Sequence, residues 1–523
     1  MKKNYIRTLL ITLLGTSNLY YSQSSTISLN ENNCDAIISD IGTFFNNSAA
    51  GLPGYEIPKG SGIHAIYSAA LWFGGPDASG MLKQVVPQYA SASQDMWPGA
   101  LTANGAATLP SPNPLGQTIW TISKTEIDNH IMNFSNPGYV APTEILNWPA
   151  HGDTSVDQAF YLAPFIDMDA NGYYNPLAGD YPCIKGDRAI YTITNDKGGL
   201  LGSGSYPIGI EVHYLFYQYN STVEAINNTT FLDARIINRS TQTIYDYVTS
   251  FWADTDLGGP NDDHFGCDSL RNLMYTYNAD NQDDDNLGLI GYGAGPPAIG
   301  IMCLNEKINS AGMFSNSGVY PYNDPSAPVE FHYVMNGKGQ DGLPWLDDLG
   351  QPTRFMYSGD PNNPSEWSEY SNANTPGDRR MIMSVNKDNP LMPFEEFQLH
   401  FAIVYARDTN HLHSVEMLFD VADDVQDFYD SSHVDCQLNQ LSVSEMSLDA
   451  ITIFPNPTQN FINIKHPEDI IIERTELWSL DGKLVKRDLK PTQINLDGFS
   501  AGLYWFNLFT NQGIKTVKLL KID

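Results

Sequence analysis

The chain has 523 residues, enough for two to four domains and at least one large hydrophobic core. Its 28 Lys and Arg residues stand against 60 Asp and Glu, so the formal net charge is −32, which argues against nucleic acid as a partner because phosphate would be repelled. Aromatic residues make up 12% of the chain and there are 42 glycines, a composition typical of turn-rich β proteins and not of disordered chains.

The N-terminus predicts an export signal. Lys2, Lys3 and Arg7 supply a basic start, and a short apolar run at 9–14 follows before small and polar residues. A membrane span needs roughly 20 apolar residues, and this run is far shorter. We therefore expect residues 1–22 to be a signal peptide and the mature protein to be water-soluble.

Residues 23–436 predict a large antiparallel β-sandwich with a few helices. Ser123 and Glu126 have the spacing of a capping box at the start of a first helix. Apolar and polar side chains alternate through residues 397–405, the pattern of a strand with one apolar face. A second helix is expected from near Ser414. Its apolar face consists of Val415, Leu418, Ala422 and Val425, and its solvated acidic residues are Asp420, Asp423, Asp424 and Asp427.

Five cysteines are too few for a disulfide scaffold, and they lack the CxxC spacing of zinc and redox sites. They are Cys34, Cys183, Cys267, Cys303 and Cys436. Export would permit one or two disulfides, and the odd count leaves at least one thiol unpaired within the chain. The sequence does not fix the pairing.

The sharpest signal for a bound ion is Asp167-Met168-Asp169-Ala170-Asn171-Gly172. Calcium takes six to eight oxygen ligands, and a D-x-D-x-N-G loop turns three side chains inward while its glycine permits a sharp bend. The segment resembles the first half of an EF-hand loop, in which Tyr173 would add a backbone carbonyl. Ala178 occupies the twelfth position, where a Glu is expected, so Asp180 would serve only along a different loop path.

The apolar residues before this loop and Asn175-Pro176 within it argue against flanking helices. We therefore expect a structural calcium loop between two strands. The alternative is a turn rich in Asp and Asn that binds no metal.

A second acidic group begins where the strand through Trp252 is expected to end. Two carboxylates 4 Å apart repel by roughly 1 kcal/mol in water and by more when partly buried, so a bound cation would relieve the group. Its members are Asp254, Asp256, Asp262, Asp263 and Asp268, with Gly258 between them. The alternative is a solvated acidic loop.

The chain lacks the GxSxG, HExxH and phosphate-loop motifs that mark common enzyme classes. We therefore expect a non-enzymatic protein with a surface, matrix or adhesive role. A polysaccharide-directed hydrolase or carbohydrate-binding module is the alternative, in which paired carboxylates flank a sugar and tryptophans line the subsites. Those tryptophans would be Trp97, Trp120, Trp148 and Trp252.

A polar, Ser-rich stretch at 437–448 predicts a linker ahead of a second domain. Residues 450–523 carry nine Lys and Arg against eight Asp and Glu, whereas the rest of the mature chain carries 16 against 52. Period-two patterns indicate short strands, and Asp481-Gly482 between two apolar runs signals a hairpin turn. We therefore expect residues 449–523 to form a small immunoglobulin-like β-sandwich.

Four motifs in this last segment carry a resemblance to a known family. They are Phe454-Pro455-Asn456-Pro457, Leu480-Asp481-Gly482-Lys483, Ala501-Gly502-Leu503-Tyr504 and Lys518-Leu519-Leu520-Lys521. In this order they resemble the type A C-terminal sorting domain of type IX secretion cargo. The resemblance implies that residues 449–523 engage the type IX secretion machinery and are usually removed after export.

The same resemblance implies a destination outside the outer membrane of a Gram-negative bacterium, either on the cell surface or in the medium. It leaves open whether the protein is attached to cell-surface lipopolysaccharide or released. The sequence also leaves open whether the acidic body has a glycan or a protein as its ligand.

Overall fold

The structure is a computed structural model that describes most of the chain. The described residues are 25–522 apart from 48–49, 90–93, 111–115, 317, 433–435, 437–450, 468–469, 480–482, 490–492 and 511–512. The expected signal peptide at 1–22, the linker at 437–448 and the Asp481-Gly482 turn lie outside these residues. The described part is mainly β, as the sequence predicts, with large antiparallel sheets and few helices.

One large sheet has ten strands, and Val248–Asp254 lies in its middle between Arg380–Asn386 and Ser68–Pro76. The main path of the sheet runs in the order Ser310–Phe314, Arg380–Asn386, Val248–Asp254, Ser68–Pro76, Thr43–Phe44, Asp35–Ser39, Tyr55–Glu56 and His64–Ile66. Two further strands, Thr26–Leu29 and Leu82–Val85, pair with Asp35–Ser39 and Ser68–Pro76.

The second large sheet has nine strands. Its main path runs in the order Trp97–Pro98, Arg188–Asn195, Ile210–Gln218, Thr230–Asn238, Glu396–Ala406, Ala298–Cys303, Leu273–Asn278 and Asp263–Asp268, and Ile119–Ser123 pairs with Arg188–Asn195. The strand Glu396–Ala406 confirms the strand predicted at residues 397–405, but both of its faces are buried from Leu399 onward, and not one alone. Its odd-numbered apolar residues join one core cluster and its even-numbered ones join another.

The main core lies between the two large sheets. Aromatic rings from the two sheets meet there, with 4.8 Å between the ring centroids of Phe44 and Phe216 and 5.1 Å between those of Phe251 and Phe401. Alternate side chains of each strand fill this layer because successive residues point to opposite faces. The body is therefore a β-sandwich, as expected.

A second core covers the outer face of the nine-stranded sheet, where the long helix His411–Ser432 packs. The helix begins three residues before Ser414, and its predicted apolar residues, Val415, Leu418, Ala422 and Val425, are all fully buried. The other helices are Lys124–Asn133, Thr143–Leu146, Glu224–Asn227 and Pro328–Met335, with short 3₁₀ turns at Thr154–Val156 and Pro176–Ala178. Ser123 and Glu126 form the predicted capping box on Lys124–Asn133. Among the described residues, no helix is both long and apolar enough to span a membrane.

Among the described residues, the body also has four small sheets of two strands each. They pair Asn46–Asn47 with Leu52–Pro53, Phe165–Ile166 with Tyr181–Pro182, Gln282–Asp283 with Gly293–Ala294, and Trp345–Leu346 with Pro352–Thr353. One disulfide joins Cys183, directly after the strand Tyr181–Pro182, to Cys436, four positions after the end of the long helix. The other three cysteines are buried thiols.

The C-terminal strands form two sheets of their own. One consists of Thr452–Phe454, Phe461–Lys465 and Gln493–Asn495, and the other of Leu484–Leu489, Ile472–Ser479, Gly502–Thr510 and Gly513–Lys521. Ile472–Ser479 pairs antiparallel with Leu484–Leu489, as a hairpin between them requires. Buried residues such as Ile462, Leu477 and Phe506 give this domain its own hydrophobic cluster, separate from those of the body.

Candidate metal centres

The loop from Asp167 to Asp180 connects the two strands of the hairpin Phe165–Ile166 and Tyr181–Pro182. Two glycines shape it: Gly172 has φ +80° and Gly179 has φ +105°, values that residues with a Cβ rarely adopt. Gly179 also ends the 3₁₀ turn Pro176–Ala178 and turns the chain back toward the start of the loop. A calcium-type sequence thus lies between strands and not between helices.

Three carboxylates converge in this loop. Oxygens of Asp167, Asp169 and Asp180 all lie within 4.8 Å of one another. Two oxygens that bind one calcium ion at 2.3–2.6 Å can be at most about 5 Å apart, so these three can share an ion. We call these three residues the loop group.

Every carboxylate oxygen of the loop group accepts a hydrogen bond from an N–H group of the loop. The backbone N–H of Gly172 donates to Asp167 at 2.6 Å, and that of Asn171 lies 3.3 Å from both Asp167 and Asp169. The Asn171 side-chain amide donates to the second oxygen of Asp169 at 2.8 Å, while its own Oδ1 accepts from the Tyr173 N–H at 2.7 Å. These bonds orient the carboxylates before any ion binds.

Asp180 supplies the third carboxylate of the loop group, whereas Ala178 at the twelfth loop position has no side-chain oxygen. Its side chain is fully buried, and its two oxygens accept from the backbone N–H groups of Met168, at 2.8 Å, and Asn175, at 2.7 Å. Burial raises the pKa of Asp180 above its ordinary value, and the carboxylates of Asp167 and Asp169 add to the rise. Asp180 therefore fastens both ends of the loop while presenting a carboxylate to its centre.

The second acidic group lies at the end of the central strand Val248–Asp254. Oxygens of Asp254, Asp256 and Asp378 lie within 4.8 Å of one another, and we call these residues the strand-end group. Asp378 comes from the segment just before the neighbouring strand, whose first residue, Arg380, pairs in register with Asp254. Sheet pairing therefore joins residues that are more than a hundred positions apart in the chain.

One cation of the protein faces this group. Arg380 lies 3.4 Å from Asp254 and 3.5 Å from the more exposed Asp324, and it forms a close ion pair with Asp378. The Tyr89 hydroxyl donates to Asp254 Oδ2 at 2.6 Å. One guanidinium thus meets four carboxylates, counting Asp256, and negative charge remains in excess.

Burial dominates the electrostatics of the strand-end group. Burial raises the pKa of Asp254, although Arg380 opposes the rise. Burial raises the pKa of Asp256 further, and here the neighbouring charge of Asp254 adds to the effect. Both residues are more than nine-tenths buried, and Oδ1 of each has no hydrogen-bond partner among the described residues.

The other three predicted ligands of this group lie elsewhere, because the chain crosses to the other large sheet after Asp256. Asp262 is half-buried in the turn before the strand Asp263–Asp268. Asp263 is buried and accepts from the Leu257 N–H at 3.1 Å. Asp268 pairs with Arg271 at 2.7 Å and caps the turn that follows it. These residues are not part of the strand-end group.

Sequence reasoning missed Asp378, Arg380 and Tyr89. Asp378 follows Gly377 in an irregular segment, where nothing in the local sequence distinguishes it from other surface aspartates. Only the strand order reveals its position, because Val248–Asp254 and Arg380–Asn386 are neighbours in the sheet.

The tryptophans considered as sugar platforms lie mostly in the core. Trp120, Trp148 and Trp252 are at most 4% exposed, and Trp97 is half-buried. Trp252 stacks on Trp72 with 5.7 Å between ring centroids. Their role in the described structure is packing.

Comparison with known proteins bears mainly on the C-terminal domain. Residues 452–522 match the family model of the secretion system C-terminal sorting domain. This segment is a type IX secretion sorting domain. The match begins at the first strand of the domain, Thr452–Phe454, and confirms the resemblance that the four motifs indicate.

The body has weaker likenesses. A search of curated proteins found no match. Among solved structures, the chain is similar to a polysaccharide lyase at 10% identity, with a TM-score of 0.18, over 60% of this chain and 34% of the lyase. The chain thus spans about a third of the lyase's length, and a score this low carries no argument about the body.

Proposed function

We propose that this is a non-enzymatic protein of the cell surface or the surrounding medium, whose β-sandwich body is stabilised by Ca²⁺ at the loop group. Export would run through the type IX secretion machinery, across the outer membrane of a Gram-negative bacterium. The observation that carries this proposal is a sorting domain that follows a body in which the oxygens of Asp167, Asp169 and Asp180 converge.

The separate hydrophobic core of the C-terminal domain supports its role as a sorting signal. A segment read by the secretion machinery has to fold without help from the cargo, and residues such as Ile462 and Phe506 supply a core for this purpose. The nearly neutral charge of this domain also suits docking better than the strongly acidic body does.

The donor set of the loop group supports calcium over softer metals. Carboxylate, amide and backbone oxygens suit hard cations, whereas zinc and copper sites recruit His and Cys. Within Asp167–Asp180 the side chains of Asp167, Asp169, Asn171 and Asp180 and the carbonyl of Tyr173 are such oxygens. Extracellular modules bind calcium in the range of about 0.1 to 1 mM, which suits a protein that works outside the cell.

The disulfide supports passage through an oxidising compartment. Disulfides persist in the periplasm and outside the cell but are rare in a reducing cytosol. Cys183 lies three residues after Asp180, so Cys183–Cys436 holds the ion-loop hairpin to the end of the body.

The polysaccharide-directed alternative has no comparable support. Three of its four expected tryptophan platforms are buried in the core. We therefore propose no glycan ligand and no lipopolysaccharide attachment.

Deletion of residues 449–523 tests the export proposal. The truncated protein is expected to accumulate in the periplasm, with the Cys183–Cys436 disulfide formed as evidence that the body has folded. Immunodetection in cell fractions, beside the full-length chain in the same strain, is the measurement. Truncated protein in the medium at the full-length level would refute the proposal.

A further inference from the structure

We propose that the strand-end group, Asp254, Asp256 and Asp378, is a second and independent site for a hard divalent cation, of which Ca²⁺ is the best match. The proposal concerns a different part of the body from the loop group. It also revises the ligand set that the sequence indicates, because Asp378 joins the group while Asp262, Asp263 and Asp268 do not.

The first argument is spacing. The three carboxylates lie within 4.8 Å of one another, the distance expected when oxygens bind opposite sides of one ion at about 2.4 Å. They come from the end of one central strand and from the segment leading into its neighbour. A cation here would join these two strands at the point where their hydrogen-bonded ladder ends.

The second argument is the unpartnered oxygens. Asp254 is 3% exposed and Asp256 is 9% exposed, yet Oδ1 of each has no hydrogen-bond partner among the described residues. A buried charged acceptor without a partner costs at least about 1–3 kcal/mol, so native structures seldom leave one. A cation bound among the carboxylates of the strand-end group would supply the missing partner.

The carboxylates around the strand-end group outnumber the cationic side chains that the described residues place there. Arg380 already contacts Asp254, Asp324 and Asp378, and it reaches Asp254 through the other oxygen, Oδ2, which Tyr89 also contacts. The guanidinium therefore makes no hydrogen bond to either of the two unpartnered Oδ1 atoms. Four carboxylates against one cation leave a deficit that a divalent ion largely removes.

The set of ligands selects the kind of ion. All three side chains offer oxygen only, which favours Ca²⁺ or Mg²⁺ over transition metals. Asp378 is half-buried, and the group is more exposed on that side than at Asp254. Water can therefore complete the coordination that three carboxylates begin.

Terbium luminescence tests the proposal on the full chain. Tb³⁺ replaces Ca²⁺ and emits when a nearby aromatic ring passes it energy. Trp252 is two residues before Asp254 on the same face of the strand, with its ring centroid 5.4 Å from that of Tyr89. We expect tryptophan-excited Tb³⁺ emission that Ca²⁺ displaces. Trp148, which donates to the Pro164 carbonyl just before the loop group, can add emission from that group, so variants have to separate the two.

Two variants and two controls locate the signal. Asp256→Asn should weaken the tryptophan-excited binding about tenfold or more, and Asp378→Asn should do likewise. Asp268→Asn should leave the emission unchanged, because Asp268 lies outside both groups. Asp169→Asn should remove at most the emission that arises at the loop group and should retain the part that Asp256→Asn loses. Equal emission from wild type and both strand-end variants would overturn the proposal, and so would complete loss of the emission in Asp169→Asn.

A folding control accompanies these titrations. In excess chelator, Asp256→Asn should unfold at the same temperature as wild type or higher, because it removes a buried carboxylate that lacks a partner. If Asp256→Asn unfolds at a lower temperature than wild type in chelator, the substitution damages the fold. The emission of Asp378→Asn then tests the proposal. Normal emission from folded Asp378→Asn would then overturn the proposal, and weakened emission would support it.

Discussion

The two acidic groups of the body have the same number of carboxylates at the same spacing but differ in how the protein supports them. In the loop group, every oxygen accepts an N–H bond from the loop itself, and Asp169 lies at the surface. In the strand-end group, Asp254 and Asp256 are buried, and one oxygen of each has no partner among the described residues. A short sequence builds the first group, whereas sheet pairing builds the second.

This difference has an energetic consequence. Backbone N–H groups and water solvate the loop group when no ion is bound, so its carboxylates are tolerated without one. In the strand-end group, burial raises the pKa of Asp254 and of Asp256, so protons partly neutralise these carboxylates when no ion is bound, and a cation has to displace them. A bound cation should therefore hold the loop group in one arrangement and should stabilise the buried carboxylates of the strand-end group.

The largest effect is expected from removing the disulfide, which lies beside the loop group and not beside the strand-end group. Replacing both Cys183 and Cys436 by Ala should lower the free energy of unfolding by about 2–4 kcal/mol, because the bridge closes a long loop. Urea unfolding measures the loss. Terbium binding at the loop group should weaken, while binding at Asp254 should not change.

The control for this variant is reductant. It should destabilise the wild type to the level of the double variant and leave the double variant unaffected. A disulfide variant that binds terbium normally at both groups would show that the bridge does not support the Asp167 hairpin.

Acid also weakens cation binding by carboxylates, so the contribution of His264 to the pH dependence of stability has to be measured in excess chelator. Burial lowers the pKa of His264 to about 4, and the positive charges of Arg379 and His411 add to this effect. The unfolded state takes up the proton near pH 6.5 but the folded state does so only near pH 4, so stability is present above pH 6.5 and is lost as the pH falls through this window. The loss should reach about 3 kcal/mol.

His264→Gln should remove most of that pH-dependent loss, although it changes the stability at neutral pH. Urea unfolding at pH 7 and pH 4.5 gives the two values for each protein. The exposed His413→Gln is the matched control and should retain the wild-type loss. An unchanged loss in His264→Gln would refute this account of acid sensitivity.

Asp180→Asn should destabilise the body even in chelator, by about 2 kcal/mol, because an amide cannot accept from both the Met168 and Asn175 N–H groups. Added Ca²⁺ should not restore the loss. Thermal unfolding with and without Ca²⁺ measures both statements. A variant as stable as wild type in chelator would mean that Asp180 does not fasten the loop.

Asp169→Asn should have the smallest effect on stability, and that effect should appear only when calcium is present. Its side chain is exposed, so in chelator its unfolding should match wild type within about 0.5 kcal/mol. Calcium affinity of the loop should fall about tenfold, or about 1.4 kcal/mol, because one charged ligand is lost. The control is Asp153→Asn, at an exposed residue outside both acidic groups, which should leave calcium affinity unchanged.

Local patterns in the sequence predicted much of this structure. The helix His411–Ser432, the capping box at Ser123 and the strand Glu396–Ala406 depend on residues close together in the chain, and all three are confirmed. The Asp167 loop was recognisable for the same reason. The sorting domain was recognisable because its motifs come in a fixed order.

The features that escaped prediction depend on contacts between distant residues. Asp378 reaches Asp254 only because two strands are neighbours, and Cys183 meets Cys436 across a separation of 253 residues. Asp263 and Asp268 follow Asp256 closely in sequence but belong to the other sheet. The clustering of charges in the chain therefore grouped carboxylates that the fold separates, and it left out Asp378, which the fold brings beside Asp254.

The most direct measurement of the central claim is calorimetric unfolding of the full chain in excess chelator and in about 1 mM Ca²⁺, the range of extracellular calcium modules. We predict that the unfolding temperature of the body rises by about one to a few degrees with Ca²⁺, since a ligand at about 1 to 10 times its dissociation constant adds about 0.4–1.4 kcal/mol. The sorting domain should be unaffected. Superimposable unfolding curves in the two solutions would contradict the claim that calcium stabilises this protein.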